Sequence, residues 1–299
     1  MIRLIATDLD GTLFHPKRPF TTMTVANKRF LRDSIADGIR VVFVSGRNPT
    51  VLKRLEKITH TDPVLLGCNG SYLYEHGHTV VSYPMDSVRL KELISYLYER
   101  FAIVTYFLFD DTPNMYLALK DLPTGSRPIF LASNYLNFAY REKIIIDEER
   151  FFQKLNTPNH KLMIHFGFAQ IGRNKAIESY HALLNTRFDD YFEFAPSDGA
   201  VEITAKGVDK GRMLTEYCQR EGIDPEEVIV CGDSGNDITM FTRYPHSFAM
   251  SSAPEYVRDH ANHIIDRVSD LKEYLADQSL MENDVPKEYD LISSLLKPK

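Results

Sequence analysis

Cysteine is scarce in this sequence and poorly spaced for its usual structural uses. The three present, Cys68, Cys218 and Cys231, form no Cys-x-x-Cys pair and leave an odd count, which speaks against a disulfide framework or a zinc knuckle. A reducing cytoplasm is the expected setting. Long apolar runs are also absent. The opening MIRLIATD meets an acid before a signal-peptide core could form, and no later run approaches a membrane helix, so no membrane partner is expected. No block of lysine and arginine occurs, and a net charge of −6 argues against nucleic acid as a partner. Neither a Gly-x-x-x-x-Gly-Lys phosphate loop nor a Gly-x-Ser-x-Gly elbow is present. There remain 299 residues, more than one compact domain usually needs, with no low-complexity tract and 43% hydrophobic content, enough for a sizeable core.

The first third alternates two textures: RLIATD, the helical TTMTVANKRFLRDSIADG, RVVFVSG, the helical NPTVLKRLEKIT, and PVLLGCNG. Such alternation marks βαβ units, and the nearly continuous apolar strands suit a parallel sheet covered on both faces. A hairpin is expected at Gly77, after which the pattern changes to α+β, with SVRLKELISYLYERF as a helix and NMYLALK and KLMIHFG as strands. The earlier style returns with KGRMLTEYCQREG as a helix, EEVIVCGD as a strand and NDITMFTRY as a helix. The fold class is therefore α/β, a doubly wound parallel-sheet core of residues 1–83 and 205–299, with an α+β module, residues 84–204, inserted into it. The tail from Asp277 onward has no assigned element.

In an open parallel sheet, ligands gather beyond the carboxyl ends of the strands. Four polar clusters sit at such ends: Asp8 and Asp10; Ser45, Gly46 and Arg47; Asn69 with Gly70; and Asp233 with Asn236 and Asp237. Lys210 opens the helix that follows the inserted module. Acids from two separate strands offer hard oxygen ligands suited to Mg²⁺, which removes the repulsion among them and toward a phosphate dianion. Asp8, held at a strand end, is placed to attack phosphorus, and Asp10, two residues on in a loop, to move protons. Lys210 adds positive charge and Ser45 a hydroxyl for the phosphoryl oxygens, while Gly46 lets a backbone amide approach. Arg47 and Asn69 are expected to touch the substrate.

Each piece alone has a plainer reading. Asp-x-Asp-Gly is common in turns, Ser45 alone reads as a helix cap before it reads as a ligand, and Lys210 alone as a solvated helix charge. Four ordinary turns would not be expected to carry acid, hydroxyl, lysine and acid in this order at successive strand ends. His76 with His78 reads as a hairpin tip, and His260 with His263 as a helically spaced pair lacking further ligands. The aromatics Tyr106, Phe107, Phe109, Tyr116, Tyr135, Phe138 and Tyr140 read as core before they read as a sugar-stacking shelf.

DLDGT (Asp8–Thr12), VSGR (Val44–Arg47), CNG (Cys68–Gly70), KGVDKG (Lys206–Gly211) and GDSGND (Gly232–Asp237) together resemble the haloacid dehalogenase superfamily, in its Cof-like phosphatase branch with a type IIB cap. The resemblance reaches to about Leu275 and implies Asp8 as nucleophile, Asp10 as acid and base, and Ser45 and Lys210 as phosphate ligands. It implies Mg²⁺ on Asp8, the Asp10 backbone carbonyl and Asp233, with Asn236 and Asp237 in support. It also implies that the inserted module closes over the crevice and selects a small phosphorylated metabolite. The chain departs from the family in reading AMSSA, with Ser252 in place of an asparagine, and DRVSDL in place of a DGV segment. Two other readings stay open at this point: a phosphomutase of the same fold, and a non-hydrolytic phosphate- or metal-binding protein.

Overall fold

A computed structural model describes residues 1–15, 23–122, 124–128, 143–167, 169–197 and 199–287. The first of its two sheets contains β1 (Leu4–Thr7), β2 (Arg40–Val44), β3 (Val64–Gly67), β4 (Tyr72–Glu75), β5 (His78–Ser82), β12 (Val228–Gly232), β13 (His246–Met250) and β14 (His263–Ile265). These eight strands lie in the order β14-β13-β12-β1-β2-β3-β4-β5. The six strands from β14 to β3 run parallel, and β4 and β5 form an antiparallel hairpin at one edge. From β1 the chain winds outward through β2 and β3, and the later strands fill the other side, so β1 ends at the topological switch point where doubly wound sheets bind ligands.

Register fixes what meets there. Thr7 lies opposite Cys231 on one neighbour and Phe43 on the other, and Val44 lies opposite Leu66. Asp8, Asp233, Ser45 and Asn69 therefore all follow strands that end at about the same level.

Among the described residues, the α-helices include α1 (Val25–Ala36), α2 (Leu52–Thr59), α3 (Ser87–Arg100), α4 (Glu148–Lys154), α5 (Ala169–Leu184), α6 (Lys210–Glu221), α7 (Ile238–Phe241), α8 (Glu255–Arg258) and α9 (Leu271–Ala276). The α6 helix begins because the Asp209 carboxylate accepts the Arg212 amide at 2.8 Å, and it stops at Gly222, which is left-handed. Its buried stripe, Met213, Leu214, Tyr217 and Cys218, has the spacing of one helix face.

The second sheet contains β6 (Thr105–Phe109), β7 (Asn114–Ala118), β8 (Lys143–Ile146), β9 (Lys161–His165), β10 (Phe192–Ser197) and β11 (Ala200–Ala205), in the order β10-β11-β9-β6-β7-β8. They form the cap, inserted between β5 and α6. Alternation along the strands gives this sheet two faces. Tyr106, Leu108, Leu162, Ile164, Val201 and Ile203 join side chains of α3 and α5 in the cap's own cluster. Phe107, Phe109, Met115 and Leu117 instead belong to the large cluster of the first sheet. The cap is thus seated on the core through apolar contact.

Several expectations are corrected. The helix read over NDITMFTRY is only the single turn α7, because the Asp237 carboxylate folds back onto the amides of Asp233 and Ser234 and fixes a tight turn before it. The first helix starts at Val25 rather than in the preceding threonines, because the Thr24 hydroxyl accepts the Asn27 amide and caps it. His260 and His263 do not share a helix: His260 follows α8 and its Nδ1 lies 2.7 Å from the Tyr256 carbonyl, whereas His263 opens β14 against Asp284. The cap's last strand runs to Ala205, which pairs with Phe192. Of the aromatics, Tyr106 is fully buried in the cap cluster, and Tyr135, Phe138 and Tyr140 lie outside the described residues. Among the described residues, no helix is long and apolar enough to cross a membrane.

Phe43 occupies β2 beside the central strand and is 1% exposed. Phe43→Ala should lower the unfolding free energy by about 3–5 kcal/mol through lost burial and the cavity left behind, read as a lower urea midpoint with an unchanged slope.

Candidate active site

The Asp8 amide still belongs to the sheet, donating to the Cys231 carbonyl at 3.0 Å. The chain then makes one wide turn over Leu9–Leu13, closed by the Phe14 amide on the Leu9 carbonyl at 2.8 Å. Gly11 permits this turn twice over. Its φ is +83°, and a Cβ there would stand 2.2 Å from Asp233 Oδ2. The glycine brings the loop after β1 against the acid after β12.

Lys210, 1% exposed, reaches the same point from the first turn of α6. Its Nζ donates to Asp8 Oδ1 at 2.8 Å and to Asp237 Oδ1 at 2.6 Å. Burial acts to lower its pKa, but Asp237 and Asp8 outweigh burial and hold the ammonium charged well above the ordinary lysine range. Asp237 is fully used: Oδ1 takes Lys210, and Oδ2 takes the amides of Asp233 and Ser234, each at 2.9 Å. Asp233 Oδ1 accepts the Thr12 hydroxyl at 2.7 Å. No hydrogen bond from the described residues falls on the second oxygens of Asp8 and Asp233.

Ligand oxygens of Asp8, Asp233 and Asp237 all lie within 4.8 Å of one another. Burial, Asp237, Asp233 and Asp10 push the Asp8 carboxyl well above its usual range against the pull of Lys210. Burial and Asp237 push Asp233 up to about 7. An all-carboxylate donor set with two uncommitted oxygens and raised proton affinity fits a hard divalent cation, held by Asp8 and Asp233 and braced by Asp237.

Asp10 stands apart from that cluster. Its carboxylate is forked by Arg47, with Nε on Oδ2 at 2.5 Å and Nη2 on Oδ1 at 2.7 Å, and it is 44% exposed. Arg47, expected to touch the substrate, is here the partner that orients Asp10. Ser45 is buried; its hydroxyl accepts the Arg47 amide at 3.3 Å and its carbonyl accepts the Asn69 amide at 3.0 Å. Asn69 and Cys68 both have left-handed φ, 59° and 47°, conformations that cost a non-glycine residue of order 1 kcal/mol. That strained corner turns the Asn69 side chain toward Asn236, whose Nδ2 donates to Asn69 Oδ1 at 3.2 Å. The loops after β1, β2, β3 and β12 thus meet with Lys210 in one crevice. Ser252 is exposed and lies outside these contacts.

Three contributors are given no role by the sequence. Thr12 lies inside the first motif, but nothing there signals its bond to Asp233. Glu202 of β11 and Lys161 of β9 reach down from the cap to Asn69, Asn236 and Gly46. The sequence places Lys161 in the cap without giving its direction, and Glu202 sits in an ordinary alternating strand.

The raised carboxyls carry a pH signature. Between the ordinary carboxylate range and about pH 7, the cation-free native protein holds protons that the unfolded chain has released, so its stability falls as pH rises through that window. A cation competes with those protons. The melting temperature of EDTA-treated protein should therefore fall from about pH 5 to about pH 8, and millimolar divalent cation should raise it more at the higher pH. An equal rise at both values would show that these acids do not form the cation site.

Comparison with known proteins agrees with the geometry. The family model for haloacid dehalogenase-like hydrolases matches residues 5–271. The chain is 27% identical over 271 residues to a protein of Escherichia coli named pyridoxal phosphate phosphatase YbhA, covering 88% of this chain and 93% of that one. Among solved structures, SMU.1108c of Streptococcus mutans superposes with a TM-score of 0.76 at 21% identity, over 93% of this chain and all of that one. A subclass IIB sugar phosphatase, BT4131, superposes with a TM-score of 0.72 at 19% identity, over 92% of this chain and 99% of that one. With acids and a serine following the strand ends, a lysine opening the facing helix and an α+β module above them, the chain belongs to the haloacid dehalogenase-like hydrolases.

Proposed function

We propose that the protein is a Mg²⁺-dependent phosphatase of small phosphomonoesters that works through an aspartyl phosphate on Asp8. The observation that carries this reading is Asp8 itself: a nearly buried carboxylate with one oxygen on Lys210 and the other uncommitted, within reach of a second strand-end acid. Mg²⁺ held by Asp8, Asp233 and the Asp10 carbonyl would supply the positive charge that lets a phosphate dianion approach a carboxylate.

The remaining work falls to the chain's own groups. Lys210 fixes the nucleophilic oxygen and stands beside the phosphoryl oxygens, and Ser45 and the Gly46 amide hold the opposite side. Asp8 attacks phosphorus, the ester oxygen departs with a proton from Asp10, and the phosphoryl group stays on Asp8. In the second half Asp10 takes a proton from water, the water oxygen attacks phosphorus, and the Asp8–phosphorus bond breaks to release inorganic phosphate. An aspartate at position 10 favours hydrolysis over a protein that merely retains its phosphate, since breakdown needs this base. Arg47 fixes where that carboxylate stands.

Sugar phosphates are the first substrates to test, with pyridoxal phosphate next, as the name of the Escherichia coli relative suggests, and flavin mononucleotide third. The test is phosphate release across such a panel with Mg²⁺ and again with EDTA. Asp8→Asn should lower turnover by at least about a thousandfold while melting as a folded protein. Activity that survives chelation would remove the metal from the scheme, wild-type turnover by Asp8→Asn would remove the nucleophile, and isomerisation requiring a bisphosphate activator would make the protein a mutase.

A further inference from the structure

Two charged side chains on the core-facing side of the cap sheet are buried against the catalytic loops, although the chemistry above does not use them. Lys161 alternates with Leu162, and Glu202 with Val201 and Ile203, all of which point into the cap's own cluster. The Lys161 side chain is 4% exposed and that of Glu202 11%, with nitrogen and oxygen 3.6 Å apart. Lys161 Nζ donates to the Gly46 carbonyl at 2.5 Å and lies 4.6 Å from the centre of the Phe109 ring. Glu202 Oε2 accepts from Asn69 Nδ2 and, at 3.4 Å, from Asn236 Nδ2. Burial acts to raise the Glu202 pKa, but Lys161 and the Asn69 amide overcome it and keep the carboxyl ionised below its usual range.

Burying an ion pair adds little stability, because desolvation offsets the attraction, so stability alone does not account for this one. Its footing is a glycine that the backbone does not require. Gly46 has no left-handed φ, yet a Cβ on it would lie 3.0 Å from Lys161 Nζ and 3.0 Å from Asn69 Oδ1. The missing side chain is the space in which the cap's ammonium meets the loop that carries Ser45.

Resting on the hydrolase reading of this site, we propose that Lys161 and Glu202 are positioning residues, a latch that sets the Ser45–Gly46–Arg47 loop and the Asn69–Asn236 pair in reactive order only when the cap is seated. Each contact lands next to, or on a direct partner of, a group that builds the site. Gly46 follows Ser45, and Asn236 precedes the Asp237 that anchors Lys210. The Asn69 amide itself holds the Ser45 carbonyl. With the cap lifted, both charges hydrate, the Gly46 carbonyl and the Asn69 side-chain amide lose their cap partners and Asn236 keeps only Asn69, so loop order becomes a consequence of closure.

Hydrogen exchange resolved by peptide, without substrate, reads the latch directly in wild type, Lys161→Met and Glu202→Gln. Peptides over 45–49 and 67–71 should exchange at least about tenfold faster in both variants, with β12 unchanged as the control for folding. In phosphate release with Mg²⁺, kcat should fall by about tenfold or more for p-nitrophenyl phosphate and a hexose phosphate alike, with KM moving less than about threefold, and Lys161→Arg should restore most of the loss. Unchanged exchange in either variant overturns the latch. So does a loss confined to KM for the hexose ester, which would make the pair a contact to the leaving group. Glu202→Gln is isosteric and decides between these outcomes if Lys161→Met does not fold. If wild type releases no phosphate from any ester tried, the hydrolase reading fails by itself, and exchange still judges the latch.

Discussion

The ammonium of Lys210 is the charge around which the site is organised. Three carboxylates stand within 4.8 Å of one another, and Lys210 bonds two of them. Two unit charges about 4 Å apart repel by about 4 kcal/mol at the effective dielectric typical of proteins, so one ammonium cannot balance three acids. The deficit is two charges, that of one divalent cation. Without it, burial first and the neighbouring carboxylates second raise the proton affinity of Asp8 and Asp233. The fold bears this strain because the groups are fixed by structure that cannot relax away from it: Asp8 by the β1 ladder, Asp237 by two amides of its own turn, and Lys210 by the buried face of α6.

That origin explains how much of the site was legible in the sequence. Asp8, Ser45, Asn69 and Asp233 were readable because parallel strands of similar length end at one level, so adjacency in the sheet turns into adjacency in space. Lys210 was readable because it opens a capped helix, and the βα alternation was readable because parallel strands are apolar on both faces. Thr24 as the cap that starts α1 at Val25 and Asp237 as the brake on α7 were not, since both depend on which hydrogen bond a short polar side chain chooses. The fork of Arg47 on Asp10 spans 37 residues and the reach of Glu202 to Asn69 spans 133. Contacts of that kind depend on how two sheets dock, and local pattern holds no record of docking.

The docking itself divides into two kinds of contact. Phe107, Phe109, Met115 and Leu117 give the cap an apolar seat on the core cluster, and apolar burial is strong but does not define direction. Such a seat tolerates sliding on the scale of a side-chain rotamer, whereas a misplacement of about 1 Å at a reacting centre can cost about a hundredfold in rate. Directional bonds remove that freedom. Asn48 Nδ2 on the Asn114 carbonyl, Ser71 Oγ on the His160 carbonyl, Lys161 on Gly46 and Glu202 on Asn69 join core to cap at separate points along the seam. The apolar patch supplies attraction and the polar bonds supply registry, so a cap can diverge in the surface it offers a leaving group while the catalytic loops beneath it keep their arrangement.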